Sequence, residues 1–377
     1  MITSNPVLFT IICVFSFQAI ALSLLNYYKK PKDQAQIFLV ILIFFCAIMP
    51  LNIVLVNILK DRGLMHIFRF VQLEMLYGIG PALYFYTKSI TTPGFKFDKK
   101  DWIHFLPLVL EFIYYRTALY REGSNGLYLN PMPGLSYVYL AEQWIGVLSI
   151  LTYSLFSLRL LYTHQNLLKQ YYSKLGNRTL TWLQLPIYCF AGFFILYNII
   201  GEVDRFFFDR TLRTYYFLPS FVGLSFACTW LSFITYINQT VPSLGIKVLG
   251  KQNKPSFKKD QEFMNRLELL MQEQQPYLNP ELNLSLLSEL LEMKPKKLSE
   301  KINQSYEQNF YDLINHYRVE AFKKQVKTDL SGKLSLLGIA YECGFNSKSS
   351  FNHVFKKKTQ MTPSQYLKKV QMEAIGR

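Results

Sequence analysis

The hydrophobic positions divide this chain into two parts. Up to about residue 240, long apolar runs alternate with short polar segments, whereas beyond residue 260 apolar residues recur at helical spacing among many charged ones. A helix needs about twenty apolar residues to cross the hydrocarbon core of a bilayer. The first part therefore predicts seven membrane spans. Their approximate limits are residues 7–28, 36–59, 64–91, 102–120, 135–163, 180–204 and 215–238.

The flanks of the first run indicate its orientation. No Lys or Arg precedes residues 7–28, and Lys29, Lys30 and Lys32 follow them. A cleavable signal peptide has a basic start and a shorter apolar core, and basic residues remain on the cytoplasmic side. We therefore predict an uncleaved span with the N-terminus outside. Seven crossings then leave the C-terminal part in the cytoplasm, and the loops predicted to lie inside carry the larger share of Lys and Arg.

Ionisable residues within these runs form a candidate sensor site. A charged group in the hydrocarbon region is costly and rarely faces lipid, so it pairs with another polar group or lines a cavity. In the predicted topology most of them lie towards the outer surface, where a polar cavity could bind a small-molecule or membrane signal of unknown identity. The alternative is that they only pair with one another or reach the interface. They are Arg69, Glu74, Glu111, Glu142 and Glu202, with Asp204 beside the last.

The net positive charge of the chain indicates what kind of partner it binds. The chain has 41 Lys and Arg against 25 Asp and Glu, and residues 247–377 hold 22 against 14, an excess of 8 positive charges. This excess fits a polyanion, although a solvated basic surface would give the same count. The five cysteines lie singly in apolar stretches, the five histidines are scattered, and neither follows a catalytic or metal-binding spacing. We therefore predict no enzyme activity, no metal and no cofactor.

Residues 335–369 predict a helix, a sharp turn, a second helix and a short capping helix. The apolar stripe of the first helix ends at Gly344, which suits the left-handed conformation of a helix end, and Phe345 fills the corner. Phe351 and Phe355 bury one side of the second helix. Its opposite side carries polar and basic groups that suit base edges and phosphates in a major groove. These predicted DNA contacts are Lys348, Ser349, Asn352, His353, Lys356 and Lys357.

The sequence GFNSKSSFNHVFKK at 344–357, followed by TPSQY, resembles the signature of the AraC/XylS family of bacterial transcription regulators. That family has two helix-turn-helix units joined by a long helix. The apolar pattern recurs at about 284–303, and NFYDLINHYRVEAFKKQV at 309–326 resembles the family's linker helix. The resemblance implies two reading helices set roughly 34 Å apart, one DNA turn, and RNA polymerase as a partner.

In the upstream unit, Leu298 and Ile302 are predicted to face inward, which leaves a polar side for DNA. Its predicted contacts are Lys296, Ser299, Glu300, Lys301 and Asn303. Two positions depart from the family pattern: Gln360 replaces a usual Gly, and Lys294 replaces a usual Ser cap. The first change is expected to cost up to about 1 kcal/mol. In the N-terminal part, GPALYFYTKSI at 80–90 and HFLP at 104–107 look like stretches of membrane-spanning regulators of this type.

Together these features predict an all-α protein: a seven-helix transmembrane sensor domain at 1–240, a basic linker at 241–260 and an AraC-type DNA-binding domain at 261–377. We predict a sequence-specific transcription regulator in a bacterial cytoplasmic membrane that couples an outside or intramembrane signal to promoter binding. Its partners would be double-stranded DNA and the lipid bilayer, and the sequence leaves open a homodimer. The alternative is a transporter or membrane enzyme with a protein-binding cytoplasmic domain, but the runs show no internal repeat.

Overall fold

A computed structural model describes residues 6–29, 33–61, 75–114, 135–209, 211–238, 260–328 and 334–375. Over these ranges the chain forms fourteen α-helices and no β-strand, so the predicted all-α class is confirmed. The chain divides into two compact bodies. The N-terminal body comprises Met1–Tyr162 and Leu180–Gly245, and the C-terminal body comprises Thr163–Thr179 and Ile246–Arg377. The predicted division near residue 240 did not anticipate the assignment of Thr163–Thr179.

The N-terminal body contains seven of these helices, the fifth of which ends in the C-terminal body. They are α1 (Pro6–Lys29), α2 (Gln34–Asp61), α3 (Leu76–Thr91), α4 (Leu106–Tyr114), α5 (Leu135–Tyr171), α6 (Thr181–Phe207) and α7 (Arg213–Ile237), with a 3-10 turn at Lys99–Phe105. Among the described helices, five are long and apolar enough to cross a membrane. These are α1, α2 from Gln34 to Leu55, α5 from Leu140, α6, and α7 from Tyr215.

Five of the seven predicted spans are therefore confirmed as long apolar helices. The other two are described only in part, because residues 62–74 and 115–134 lie outside the described ranges. Helix α3 covers the end of the run at 64–91, and α4 covers the middle of the run at 102–120. The number of crossings and the outside N-terminus remain predictions.

Buried hydrogen bonds join the first and last helices of the N-terminal body. The amide of Asn26 donates to the backbone oxygen of Ser232 and to the hydroxyl of Thr235, each at 3.1 Å. About three helical turns nearer the start of α1, the hydroxyl of Ser16 donates to that of Ser225 at 3.2 Å. Small polar residues allow close helix approach, and their hydrogen bonds stabilise helix association where water is absent. Helix α1 is thus fixed against α7, and it also packs against α2.

The outward sides of the same helices are apolar. Large hydrophobic side chains are exposed along α1, α5, α6 and α7, an arrangement that water-soluble monomers rarely show over several helices. Examples are Val14, Phe17, Leu148, Leu155, Leu185, Leu196, Phe226 and Phe233. This pattern fits a bundle surrounded by lipid.

The C-terminal body consists of the end of α5, a 3-10 turn at Gly176–Thr179, and seven further helices. They are α8 (Gln261–Glu273), α9 (Leu284–Leu290), α10 (Pro295–Tyr306), α11 (Phe310–Thr328), α12 (Leu336–Glu342), α13 (Lys348–Thr359) and α14 (Pro363–Ile375), with a 3-10 turn at Pro276–Leu278 between α8 and α9. The predicted linker at 241–260 lies outside the described ranges except for its last residue.

Helix α11 contributes to two separate hydrophobic cores in this body. Its first half, with Phe310 and Ile314, packs with α8, α9 and α10. Its second half, with Val319 and Phe322, packs with α12, α13 and α14. Because one helix is part of both cores, the two helix-turn-helix units are held in a defined relation to each other. We call α11 the connecting helix.

Candidate nucleic-acid interface

The downstream helix-turn-helix is formed by α12 and α13, and its turn is a Schellman motif. Gly344 has φ +86°, its N–H donates to the oxygen of Tyr341, and the N–H of Phe345 donates to the oxygen of Ala340, both at 3.0 Å. This is the paired hydrogen bonding that ends a helix at a left-handed residue. Phe345 is buried, and its ring lies 5.2 Å from that of Phe351. Gly344 thus occupies the left-handed position at the end of α12, and the buried ring of Phe345 lies in the corner between the two helices.

Helix α13 presents one buried side and one exposed side. Ser347 caps its start by accepting a hydrogen bond from the N–H of Ser350 at 3.2 Å. The rings of Phe351 and Phe355 lie 4.7 and 5.2 Å from that of Phe322 on the connecting helix. The residues predicted to contact DNA all lie on the exposed side, which we call the second reading face. They are Lys348, Ser349, Asn352, His353, Lys356 and Lys357.

The three lysines at the end of α13 differ in their surroundings. Lys356 is exposed. The ammonium of Lys357 lies 3.2 Å from the carboxylate of Asp312, but the lysine side chain is 58 % exposed, and such an ion pair contributes little. Lys358 donates to the side-chain oxygen of Gln308 at 3.4 Å, and burial lowers its pKa. Lys356 and Lys357 are therefore the two cations at this helix end that a phosphate can reach at small cost.

The upstream helix-turn-helix, α9 and α10, repeats the same turn with a different residue. Glu292 occupies the left-handed position with φ +52°, its N–H donates to Glu289, and the N–H of Met293 donates to Ser288, at 3.1 and 3.0 Å. Helix α10 begins three residues after this left-handed residue, whereas α13 begins four residues after Gly344, so the upstream turn is one residue shorter. Lys294 stands at its cap and makes no side-chain cap hydrogen bond. The usual Ser cap is therefore absent here, as the sequence predicts for Lys294.

The exposed side of α10, which we call the first reading face, includes fewer of the predicted DNA contacts than the sequence indicates. Lys296 is exposed, and Glu300 and Asn303 are half-buried at the surface. Ser299 is only 2 % exposed, so its predicted position on the exposed side is wrong. Because α10 packs against α8, α9 and α11, its buried side extends beyond the stripe at Leu298.

Lys301 takes part in an ion pair within the body. Its ammonium contacts the carboxylate of Asp260, which also caps α8 by accepting the N–H of Phe263 at 3.0 Å. The same ammonium lies 5.3 Å from the centre of the Phe263 ring. A phosphate contact by Lys301 would require this ion pair with Asp260 to open.

Arg318 joins the two halves of the interface. It is 2 % exposed, and its guanidinium donates to the backbone oxygens of Tyr277 and Asn279, each at 2.8 Å. Burial lowers the pKa of Arg318 to about 10, so the side chain remains a cation near neutral pH. A Cβ on Gly344 would lie 3.0 Å from Arg318 Nε. The turn before α9, the connecting helix and the downstream turn therefore meet at Arg318.

The candidate sensor residues are not all described. Arg69 and Glu74 lie outside the described ranges. Glu202, on α6, forms an ion pair with Arg205 at 3.8 Å, one helical turn away. This local pairing is the alternative that the sequence left open for Glu202.

Glu111 and Glu142 lie near the same tyrosine. Glu111 is buried on α4, and Glu142 is half-buried on α5. Tyr77 donates to the backbone oxygen of Glu142 at 3.2 Å and lies within electrostatic reach of both carboxylates. Within the ranges that the structure describes, no group of three His, Cys, Asp or Glu residues could hold a metal ion. Binding of a signal at Glu111 and Glu142 remains a prediction.

Comparison with models of known protein families gives a match in the C-terminal body. Residues 287–369 match a family model described as a helix-turn-helix domain. The match begins in α9, includes the connecting helix and ends in α14, so it covers both reading faces. No curated protein and no solved structure matches the chain.

Proposed function

Residues 287–369 are a helix-turn-helix domain of the AraC type, and from this premise we propose that the chain is a membrane-embedded transcription regulator. The domain makes the protein a DNA-binding regulator of transcription. The proposal adds that the N-terminal body lies in the bacterial cytoplasmic membrane, that the reading faces lie in the cytoplasm, and that a signal reaching the bundle alters promoter binding. RNA polymerase, a second copy of the chain and an unidentified signal are its further proposed partners.

The exposed side of α13 is the observation that carries the proposal. A helix enters the major groove when its outer side holds short polar or basic groups and its inner side is fixed by packing. Lys348, Asn352 and His353 supply donors and acceptors for base edges, while Lys356 and Lys357 can contact phosphates. The connecting helix holds α10 and α13 within one body, so a single chain could read an asymmetric site.

The proposed membrane location is supported by the five long apolar helices and their exposed hydrophobic sides. Helix α5 adds a length argument. Its 37 residues correspond to roughly 55 Å at 1.5 Å per residue, against about 30 Å for the hydrocarbon core. Part of α5 would therefore extend out of the bilayer. Its C-terminal turns belong to the body that carries the reading faces.

Substitutions on α13 test the proposed DNA contacts. His353→Ala is expected to lower affinity for the preferred site by about 1–3 kcal/mol, mainly through lost preference at one base pair. Lys356→Ala is expected to weaken binding to all DNA alike and to reduce the salt slope by about 1, because it removes a phosphate contact. Binding of the full-length protein to specific and random DNA over a salt series measures both. Equal effects of the two substitutions on specific and random DNA would contradict the assignment.

A further inference from the structure

A segment between two apolar helices belongs to the DNA-binding body. Residues 163–179 connect the apolar part of α5 to α6 in the sequence, yet they pack within the C-terminal body. Tyr171 is part of the same core as Phe263, Leu282 and Leu284, and Leu167 and Tyr172 pack against it. This packing is more than a loop requires if the loop serves only to connect two membrane helices.

Three successive residues of this segment pair with three residues before and at the start of α9. Tyr172 forms an antiparallel β-bridge with Asn283. Ser173 donates from its hydroxyl to the backbone oxygen of Leu282, and the ammonium of Lys174 contacts the carboxylate of Glu281. The pairing thus continues in antiparallel register over three positions. We call residues 171–174 the coupling strap.

The coupling strap also contacts Arg318. Ser173 is 2 % exposed, and its hydroxyl accepts a hydrogen bond from Arg318 Nη2 at 3.2 Å. The same guanidinium holds the backbone of Tyr277 and Asn279 beside the downstream turn. One serine therefore links the strap to the residue at which the two reading units meet.

The segment after the strap is folded back on the last turns of α5. The guanidinium of Arg178 lies 4.4 Å from the centre of the Tyr172 ring. The backbone oxygen of Arg178 accepts a hydrogen bond from a ring nitrogen of His164 at 3.0 Å. The backbone oxygen of Thr179 accepts one from the side-chain amide of Gln165, also at 3.0 Å. These contacts give the strap a fixed position on α5, which is one continuous helix without proline.

We propose that the coupling strap transmits movement of α5 to the spacing of the two reading helices through Ser173 and Arg318. This inference rests on the proposed function. A rigid helix passes a displacement at one end to the other, and shifts of about 1–2 Å are typical of helices in switching proteins. Because Arg318 lies between the two cores, a shift of the strap changes the position of the upstream unit relative to the downstream turn.

Charge reversal tests the strap through DNA binding of the full-length protein in lipid nanodiscs. The preferred DNA site has two halves, one for each reading helix, and a half-site carries only one of them. We expect Lys174→Glu to lower the affinity for DNA with both half-sites by about 5- to 10-fold, and the affinity for a single half-site by less than twofold. Adding Glu281→Lys should restore binding to within about twofold, since the pair is re-formed with opposite signs. Lys324→Glu is the matched control, because it makes the same charge change on an exposed residue of the connecting helix and should leave both affinities within about twofold of the wild type.

The results separate this inference from the proposed function. If the wild-type protein shows no sequence preference, the proposed function and the strap fail together. If the wild-type protein reads its site but Lys174→Glu behaves like Lys324→Glu, the strap alone is overturned. A loss in Lys174→Glu that falls equally on full sites and half-sites also overturns it, because spacing would then not be affected.

A disulfide tests the geometry without DNA. Cα atoms paired across an antiparallel bridge lie about 4.5–5.5 Å apart, within the range that a disulfide spans. Tyr172→Cys with Asn283→Cys, in a full-length chain with a protease site in the predicted linker, should keep the two fragments joined after cleavage until a reductant is added. Tyr172→Cys with Gln274→Cys is the control pair. Equal joining in both pairs would overturn the proposed pairing.

Discussion

Replacing Arg318 with alanine is expected to destabilise the C-terminal body by about 3 kcal/mol or more. The change removes the three hydrogen bonds that the charged guanidinium donates, and hydrogen bonds of a charged group contribute about 1.5–3 kcal/mol each to stability. It also leaves a cavity beside Gly344 and removes the group that joins both halves of the interface. Hydrogen exchange of the amides in α8 to α14, measured on the full-length protein, should accelerate by about 100-fold or more.

The matched control for this prediction is Lys324→Ala. Lys324 lies on the same connecting helix and is exposed, so its truncation should change stability by less than about 0.5 kcal/mol. Arg318→Lys separates charge from geometry, because lysine keeps the positive charge but lacks the planar fork that reaches two backbone oxygens. We expect it to recover only a minor part of the loss. Arg318→Ala within about 1 kcal/mol of the Lys324→Ala control would contradict the role given to Arg318.

Replacing Gly344 with alanine is expected to be similarly disruptive, by about 3 kcal/mol. The backbone has φ +86°, where a side chain adds about 1–2 kcal/mol of strain. A Cβ would also press on the backbone oxygen of Tyr277 and lie 2.9 Å from that of Leu278. Neither neighbour is the end of a flexible side chain, so the turn itself must shift. The angle between α12 and α13 would change, and specific DNA binding should be lost along with thermal stability.

Gly338→Ala provides the comparison within the same helix-turn-helix. Gly338 lies inside α12, and its Cβ would meet only the hydroxyl of Ser335, at 3.3 Å. Alanine also favours helix, so we expect a change within about 1 kcal/mol and retained DNA binding. Thermal unfolding and DNA affinity of the two variants check the prediction. Equal behaviour of Gly344→Ala and Gly338→Ala would show that the turn is not restricted as described.

The downstream reading face could be predicted from the sequence because its determinants are local. Gly344 marks the helix end by its backbone freedom, and Phe351 with Phe355 fixes which side of α13 is buried. The opposite side of that helix is then exposed, as the structure shows for Lys348, Asn352 and His353.

The upstream reading face could be predicted only in part, because distant residues decide it. Ser299 is buried since three helices surround α10. Lys301 is paired with Asp260, about forty residues earlier in the chain, at the start of a helix whose placement the local pattern does not give. The acceptors of Arg318 are backbone oxygens, which any residue supplies, so the sequence carries no signal for them.

The coupling strap illustrates the same limit in the N-terminal part. The apolar runs predict long helices, because about twenty hydrophobic residues are sufficient to recognise one. They do not reveal that the segment around Ser173 pairs with residues beyond position 280. That pairing depends on a short antiparallel contact and one buried hydroxyl, for which neither hydrophobicity nor helical spacing gives a signal.

The function that we propose for this chain is the recognition of specific DNA sequences by a protein held in a membrane. The most direct test is recovery of genomic fragments by the full-length protein in lipid nanodiscs, beside the Lys348→Ala, His353→Ala double variant, over a salt series. We predict that the wild-type protein enriches a small set of sites, whereas the double variant binds only non-specifically and releases DNA as salt rises. Enrichment of the same fragments by both proteins, or of none by either, would contradict the claim.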